Sequence, residues 1–206
     1  MSKNRATPMS GASQTPTACE LVDDIPRDTL RYTPLFCEEN IWWLARTLVD
    51  RGVDPGTLQV WFLTNHARSI VLLEQRAGKG RALAWDYHVV LQASAGDGQW
   101  IFDFDSRLGF PVPIAEYLRR GFPRQAALPM RFRTWVRRVP AADYLVHFWS
   151  DRRHMRGRLR AHDFPGYPPI KAGRGVEPVS LAEYIDMRDT PPGAQPMQPL
   201  DVPRPR

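Results

Sequence analysis

A chain of 206 residues with a hydrophobic content of 43% and seven tryptophans can build one packed domain, and it is short for two. The longest apolar runs, such as 60–63 and 70–73, cannot cross a bilayer, and the N-terminus lacks the apolar stretch of a secretory signal. The net charge of +6 would suit a nucleic acid, but the arginines are mostly scattered. We therefore expect neither a nucleic-acid partner nor a membrane partner.

Both ends of the chain differ in composition from its middle. Residues 1–28 are rich in Ser, Thr, Pro and Ala without a hydrophobic period, and residues 190–206 are rich in proline. We expect a flexible arm and a flexible tail around one domain at 29–189. The two cysteines, Cys19 and Cys37, are too few for a disulfide framework and lack zinc-binding spacing, which fits a reducing cytoplasm.

The first strong element is a helix predicted over 37–52, because the apolar residues at 41–49 follow helical spacing. Projecting this apolar face back by four residues places Cys37 at the start of the helix, pointing towards the core. A helix N-terminus lowers the pKa of a thiol. The adjacent Glu38 and Glu39 suit the first turn of a helix, but they raise that pKa again unless they point away.

Strands dominate the chain after this helix. Apolar runs predict strands at 58–64, 69–75, 85–93, 99–105 and 131–139. Helices are predicted at 114–120, 141–149 and 180–187, and the last of them opens with the capping-box pair Ser180 and Glu183. One early helix, then antiparallel strands and short helices predict an α+β fold, with an antiparallel sheet packed against the helix that starts at Cys37.

Two polar side chains interrupt apolar strands on either side of a predicted hairpin turn. His88 lies in one strand and Asp103 in the next, where an imidazole and a carboxylate need hydrogen-bond partners. A four-residue loop at 94–97 would place them opposite each other, whereas a five-residue loop would place Asp103 opposite Val89. Asp105 shares the face of Asp103 and is the alternative partner for the histidine.

Cys37, His88 and Asp103 have the residue types of a nucleophile, its base and an orienting carboxylate. Each alone has an ordinary structural explanation, as a small buried thiol, a hydrogen-bonded core histidine or an aspartate that begins a turn. Their combination, at a helix start and on adjacent strands, favours catalysis. Composition and spacing take the interpretation no further.

The sequence resembles the protein N-terminal glutamine amidohydrolase family over roughly 37–188. The motifs are F-C-E-E-N-I-W at 36–42, W-D-Y-H-V-V-L at 85–91, F-D-F-D at 102–105, S-D-R-x-H-M at 150–155 and Y-P-P-I at 167–170. The resemblance implies a papain- or transglutaminase-like core with Cys37, His88 and Asp103 as the catalytic triad. It also implies conversion of an N-terminal glutamine to glutamate with release of ammonia, by chemistry that requires no metal or organic cofactor.

Recognition of a chain terminus requires a carboxylate for the α-ammonium group of the substrate. Asp86, Glu39 and Asp151 are the candidates, and Trp85 and Tyr87 can line the pocket. Each of these residues also has a structural interpretation, since aromatic residues beside such a strand are more often part of the core.

Two other functions stay open at this point. A cysteine protease or an internal-glutamine deamidase would use the same triad, and some bacterial effector deamidases share the implied core. A non-enzymatic nucleic-acid-binding module would use the basic stretch at 150–162, which we interpret as bracing the domain. We expect peptide or protein substrates that begin with glutamine, and a monomeric protein.

Overall fold

A computed structural model describes residues 17–23, 25–122 and 124–203 of the chain, so most of the predicted N-terminal arm lies outside the described residues. The helices are α1 (Ala18–Asp23), α2 (Cys37–Asp50), α3 (Ile114–Gly121), α4 (Ala141–His147) and α5 (Leu181–Tyr184). The strands are β1 (Leu58–Thr64), β2 (Ile70–Leu72), β3 (Leu83–Trp85), β4 (His88–Ala95), β5 (Gly98–Phe102), β6 (Val112–Pro113), β7 (Trp135–Pro140), β8 (Phe148–Trp149), β9 (Val179–Ser180) and β10 (Gln198–Pro199).

The main sheet has the strand order β10-β7-β1-β4-β5-β6, and all its neighbouring strands are antiparallel. Alternate residues of β1 face opposite sides: Val60 and Phe62 join the core cluster beneath α2, whereas Trp61 and Leu63 join the cluster that includes α3 residues. The sheet is therefore covered by helices on both faces. This arrangement confirms the predicted α+β class and the packing of the sheet against the helix that starts at Cys37.

Helix α2 forms where the apolar period predicts it and ends two residues earlier than expected. Its buried face includes Ile41, Leu44 and Leu48, each at most 1% exposed. Burial of one such side chain contributes roughly 1.5–3 kcal/mol. The face packs against the sheet and fixes the start of the helix, at Cys37, over one end of β4.

The predicted strand at 85–93 is divided between two sheets. Trp85 ends β3, which pairs with β2 in a separate two-stranded sheet, and β4 of the main sheet begins at His88. Asp86 and Tyr87 form the break between them. His88 thus lies at the end of a main-sheet strand, where its side chain borders open space beside the sheet.

The predicted hairpin register is wrong by two residues. Ala95 pairs with Gly98 around a two-residue turn in which Gly96 has a φ of 59°, a conformation that glycine adopts without strain. In this register Asp103 follows the end of β5 and lies level with Val90, not opposite His88. A slip of two keeps Asp103 on the predicted face of the sheet, because side chains alternate between faces along a strand.

Part of the segment predicted as a Pro-rich tail packs on the sheet. Residues Gln198 and Pro199 pair with β7, and Leu200 is buried. The buried Arg137 of β7 donates hydrogen bonds to the carbonyls of Asp186 and Asp189, just before this segment. The division of the chain into arm, domain and tail stays a prediction. None of the helices in the described ranges is both long and apolar enough to cross a membrane.

Candidate active site

Cys37 is the first residue of α2, where backbone N–H groups have no acceptor within the helix. The segment before it is fixed by Asn40, whose side chain accepts a hydrogen bond from the Thr33 N–H at 2.8 Å and donates one to the Thr33 carbonyl at 2.9 Å. Leu35 adopts a φ of 69°, which turns the chain into the helix. The thiol is partly buried, at the position predicted from the sequence.

His88 and Asp103 form a buried pair. The Nε2 atom of His88 lies 2.9 Å from Asp103 Oδ1, and both side chains are 1% exposed. Asp103 also accepts hydrogen bonds from Gln75 Nε2 at 3.0 Å, from the Tyr117 hydroxyl at 2.9 Å and from the Asp105 backbone N–H at 2.9 Å. With Nε2 engaged by the carboxylate, Nδ1 is the ring nitrogen left to act as a base.

The two members of this pair stabilise each other's charged forms. Burial by itself lowers the pKa of His88, but the Asp103 carboxylate, together with Asp105 and Glu38, outweighs burial and the net pKa is raised. Burial by itself raises the pKa of Asp103, but the imidazole and the donors around it lower the net pKa. The carboxylate therefore stays ionised and stabilises the imidazolium that forms when His88 accepts a proton.

The thiol of Cys37 lies in an environment that opposes its ionisation. Burial, and next the adjacent Glu38 carboxylate, raise the pKa of Cys37 well above its ordinary value, although a hydrogen bond from the Val89 N–H lowers it. Glu38 Oε2 is 3.7 Å from the sulfur. The cysteine is therefore a neutral thiol near pH 7, and a base must remove its proton.

Glu38 belongs to a second hydrogen-bonded group beside the thiol. Its Oε2 atom accepts a hydrogen bond from the Tyr87 hydroxyl at 3.0 Å, and that hydroxyl lies 3.1 Å from His154 Nε2. Glu38 is 1% exposed, and burial raises its pKa to about 7. Burial also lowers the pKa of His154. This group couples the charge beside Cys37 to residues of the S-D-R-x-H-M motif.

The carboxylate of Glu39 is bound by Arg152 and Ser150, unlike that of Glu38, which lies beside the thiol. Its oxygens accept hydrogen bonds from Arg152 Nε at 2.8 Å and Nη2 at 2.7 Å, and from the Ser150 hydroxyl. The side chain is fully buried and ion-paired, and it does not line the cavity beside Cys37. The prediction that Glu39 binds the substrate is therefore not supported, because its charge is already matched.

A cavity of about 790 Å³ opens beside the pair and the thiol. Residues predicted as site residues that line it are Cys37, Trp85, Asp86, Tyr87, His88 and Asp151. Trp85 stacks on the His88 ring at a centroid distance of 5.9 Å. The predicted nucleophile and base therefore line one cavity, together with two aromatic residues and several carboxylates.

The carboxylates of Asp86 and Asp151 each have an arginine partner. Asp86 is 63% exposed and lies 3.4 Å from Arg158, and Asp151 binds the side chain and the backbone N–H of Arg153. Both candidates for the α-ammonium partner therefore border the cavity with their charges at least partly neutralised.

Three groups at this site have a spacing that can hold a metal ion. One ligand atom each from His88, Asp103 and Asp105 lie within 4.8 Å of one another. Four hydrogen-bond donors, however, already surround the two oxygens of Asp103. This pattern fits a carboxylate that orients the histidine.

Sequence reasoning missed the residues that hold Asp103 and Asp105 in place. Gln75 and Tyr117 donate to Asp103, and the Tyr32 hydroxyl donates to Asp105 Oδ1 at 2.6 Å. Gln75 gives a weak signal, since it is an amide at the end of an apolar run. Tyr117 and Tyr32 give none, because tyrosine is an ordinary residue of a core or a surface.

A thiol at a helix start, an imidazole and a buried carboxylate beside a cavity are the groups that thiol-dependent acyl transfer needs. A family model described as N-terminal glutamine amidase matches residues 32–197, and the chain belongs to this family.

Relatives in plants and animals are similar to this chain over most of their length. A protein N-terminal glutamine amidohydrolase of Arabidopsis thaliana is 33% identical over 204 residues, which cover 94% of this chain and 87% of that protein. Proteins of the same name from Bos taurus and Homo sapiens are each 34% identical over 168 residues, 79% of this chain and 80% of theirs. The resemblance found in the sequence is confirmed.

Proposed function

We propose that this protein hydrolyses the side-chain amide of an N-terminal glutamine in peptides or proteins, giving N-terminal glutamate and ammonia. The observation that carries the proposal is that Cys37 and His88 line the same cavity, with the buried Asp103 bound to the histidine. The names of the relatives supply the substrate class, because each is an N-terminal glutamine amidohydrolase.

The first chemical step starts from a neutral thiol. His88 Nδ1 takes the proton of Cys37, and the sulfur attacks the carbon of the side-chain amide. The Cys37 backbone N–H, at the open end of α2, is one donor for the oxygen that gains negative charge. Asp103 holds the imidazole in the tautomer that keeps Nδ1 free and stabilises its protonated form.

The second step releases ammonia and the third regenerates the enzyme. The protonated His88 gives its proton to the leaving nitrogen, the C–N bond breaks, and a thioester to Cys37 remains. His88 then takes a proton from water, whose oxygen attacks the thioester. The carbon–sulfur bond breaks, the proton returns to the sulfur, and N-terminal glutamate leaves.

Four expectations from the sequence complete this proposal. The arrangement of α2 and the sheet fits a papain- or transglutaminase-like core, and Trp85 and Tyr87 form aromatic walls for the substrate. We propose that the protein works in the cytoplasm as a monomer. The three steps above use only side chains and backbone groups of this chain and water.

Ammonia release from a peptide that begins with glutamine tests the proposal. We expect activity from the wild type and none from Cys37→Ala, with circular dichroism used to verify that the variant is folded. Acetylation of the glutamine, or its transfer to an internal position, should abolish release. Release from the internal glutamine would indicate a general deamidase, and peptide cleavage seen by mass spectrometry would indicate a protease. Salt-dependent RNA binding that survives Cys37→Ala, without amide hydrolysis, would replace the proposal with a binding module.

A further inference from the structure

We propose that Asp105 binds the α-ammonium group of the substrate and so restricts the reaction to a glutamine at the start of a chain. This inference rests on the proposed function. It assigns recognition to a residue that the sequence argument considered only as an alternative partner of the histidine.

Asp105 lies in the part of the cavity where the ammonium group of the substrate is expected. It lines the same cavity as Cys37 and His88, and one of its carboxylate oxygens belongs to the group of atoms within 4.8 Å that includes His88 and Asp103. In glutamine the α-nitrogen and the side-chain amide carbon are four bonds apart, which is roughly 5 Å in an extended side chain. A carboxylate close to the base can therefore reach the ammonium group while Cys37 reaches the amide.

Within the described residues, the carboxylate of Asp105 also differs from its rivals in having no ion-pair partner. Arginines pair with Asp86, Asp151 and Glu39, whereas within the described ranges no Arg, Lys or His forms an ion pair with Asp105. Its side chain accepts one hydrogen bond there, from the Tyr32 hydroxyl to Oδ1. A partly buried carboxylate without a cation is a strong attractor for one.

Two arginines near Asp105 bind the backbone of its loop and not its side chain. Arg27 Nη2 donates to the Phe104 carbonyl at 2.7 Å, and Arg76 Nε donates to the Ser106 carbonyl at 3.2 Å. Together with Tyr32, these contacts fix the loop; Arg27 interacts with Asp105 electrostatically, but neither guanidinium forms a hydrogen bond with its carboxylate. A fixed carboxylate discriminates better than a mobile one, because less entropy is lost on binding.

Among the described residues, Glu38 is a further carboxylate near the thiol that has no arginine partner, but its position is less suitable. It is 1% exposed, it does not line the cavity, and the Tyr87 hydroxyl covers its Oε2 atom. Its Oε1 atom is also buried and lies 3.7 Å from His154 Nε2, whereas Asp105 is part of the cavity lining.

The same carboxylate links recognition to activation of the nucleophile. Asp105 is among the anions that raise the pKa of Cys37, after burial and Glu38. A substrate ammonium group bound to Asp105 offsets that negative field and favours the thiolate. A substrate without the ammonium group therefore loses binding and part of the activation together.

The test compares two peptides that differ only at the α-nitrogen. One begins with glutamine, and the other begins with a glutaramyl group, which is glutamine without its α-amino group. We expect wild-type kcat/KM to favour the first by about 10- to 100-fold, as for a hydrogen bond to a charged group. Asp105→Asn should reduce this ratio to near one by lowering the rate for the glutamine peptide alone. Asparagine still accepts from Tyr32, so the loop should stay folded.

Three variants serve as comparisons. Asp97→Asn, in the exposed hairpin turn, should keep the full ratio. Asp86→Asn and Asp151→Asn should keep it as well, and loss of the ratio in either would overturn the assignment. An Asp105→Asn variant that slows both peptides equally would also overturn it, because that result would mean that Asp105 acts only through His88.

Binding to the Cys37→Ala variant separates this inference from the proposed function. Calorimetry should show tighter binding of the glutamine peptide than of the glutaramyl peptide, and Cys37→Ala/Asp105→Asn should bind both equally. If the wild type released no ammonia but this binding difference appeared, the proposed function would fail and the ammonium site would stand. Equal binding of both peptides to Cys37→Ala would overturn the ammonium site.

Discussion

Glu38 Oε2 lies 3.7 Å from the sulfur of Cys37, so a buried carboxylate stands beside the proposed nucleophile. Its negative charge opposes a thiolate in the resting protein, and burial of the sulfur acts in the same direction. A cysteine in this environment reacts only when His88 removes its proton or when a cation enters the cavity. We therefore expect the thiol to be slow to oxidise or to be alkylated between turnovers.

Replacing Glu38 by glutamine should therefore lower the pKa of Cys37. The substitution removes the adjacent charge but keeps an oxygen that accepts from Tyr87. In the pH dependence of iodoacetamide alkylation, the midpoint for Cys37 should move to lower pH than in the wild type. The exposed Glu116→Gln variant, on α3, should leave the midpoint unchanged. A midpoint that is unchanged or higher in Glu38→Gln would contradict the proposed effect of the Glu38 charge on Cys37.

The same substitution should change how stability depends on pH. Burial raises the pKa of Glu38 from 4.5 to about 7, so the folded protein binds this proton more tightly than the unfolded chain does. Ionisation of Glu38 therefore lowers the stability of the wild type as the pH rises through this window. The advantage of Glu38→Gln over the wild type should grow between pH 4.5 and 7 by on the order of 3 kcal/mol.

Urea unfolding at several pH values measures this difference. Other titrating groups cancel because both proteins contain them, and Glu116→Gln provides the matched control on the surface. A stability difference that is constant across the window would mean that Glu38 is ionised to the same degree in both states.

Removal of the Asp103 charge should change both the rate and the pH profile. Asp103→Asn leaves burial as the main influence on His88, and burial lowers its pKa. The acid limb of the remaining activity should therefore move to lower pH. The rate near neutral pH should fall by roughly three to four orders of magnitude, because the imidazole loses its orienting anion and its favoured tautomer.

Ammonia release measured across the pH range checks both parts, and NMR titration of His88 checks the shift directly. Asp97→Asn should reproduce the wild-type profile. An acid limb that moves to higher pH in Asp103→Asn would show that the carboxylate does not raise the pKa of His88.

The buried ion pair between Arg152 and Glu39 should make a large contribution to the free energy of unfolding. Arg152→Met leaves the Glu39 carboxylate buried without its partner, and we expect a loss of about 3–5 kcal/mol in urea unfolding. Adding Glu39→Gln should recover part of that loss, since it removes the uncompensated charge. The exposed pair of Arg46 and Asp50 offers a control, because Arg46→Met should cost under about 1 kcal/mol. Equal losses in the two single arginine variants would argue against a strong buried pair.

Local patterns were enough to predict α2 and the position of Cys37, because a helical period and a strong apolar face depend on residues close in sequence. The contact of His88 with Asp103 was predicted although the register was wrong, since a shift of two residues keeps both on one face of the sheet. The separation of Trp85 from β4 was not predictable, because the apolar run continues through the break.

Partners that are distant in sequence set the remaining features. Arg152 lies 113 positions from Glu39, and nothing in either segment indicates that they pair. Two donors to Asp103 likewise come from Gln75, three residues after β2, and from Tyr117 in α3, so the local sequence around Asp103 does not show that its oxygens are filled. The availability of Asp105 follows only after these pairings are known.

The Gly96–Asp97 turn stands at the far end of β4 from His88. Seven residue steps along a strand separate the two ends, which is roughly 23 Å at the usual rise. Neither turn residue lines the cavity, and both are exposed. A fluorophore or short epitope attached at this tip would lie far from the cavity and leave the chemistry undisturbed. The hairpin is therefore a suitable place for a label in experiments that follow substrate binding.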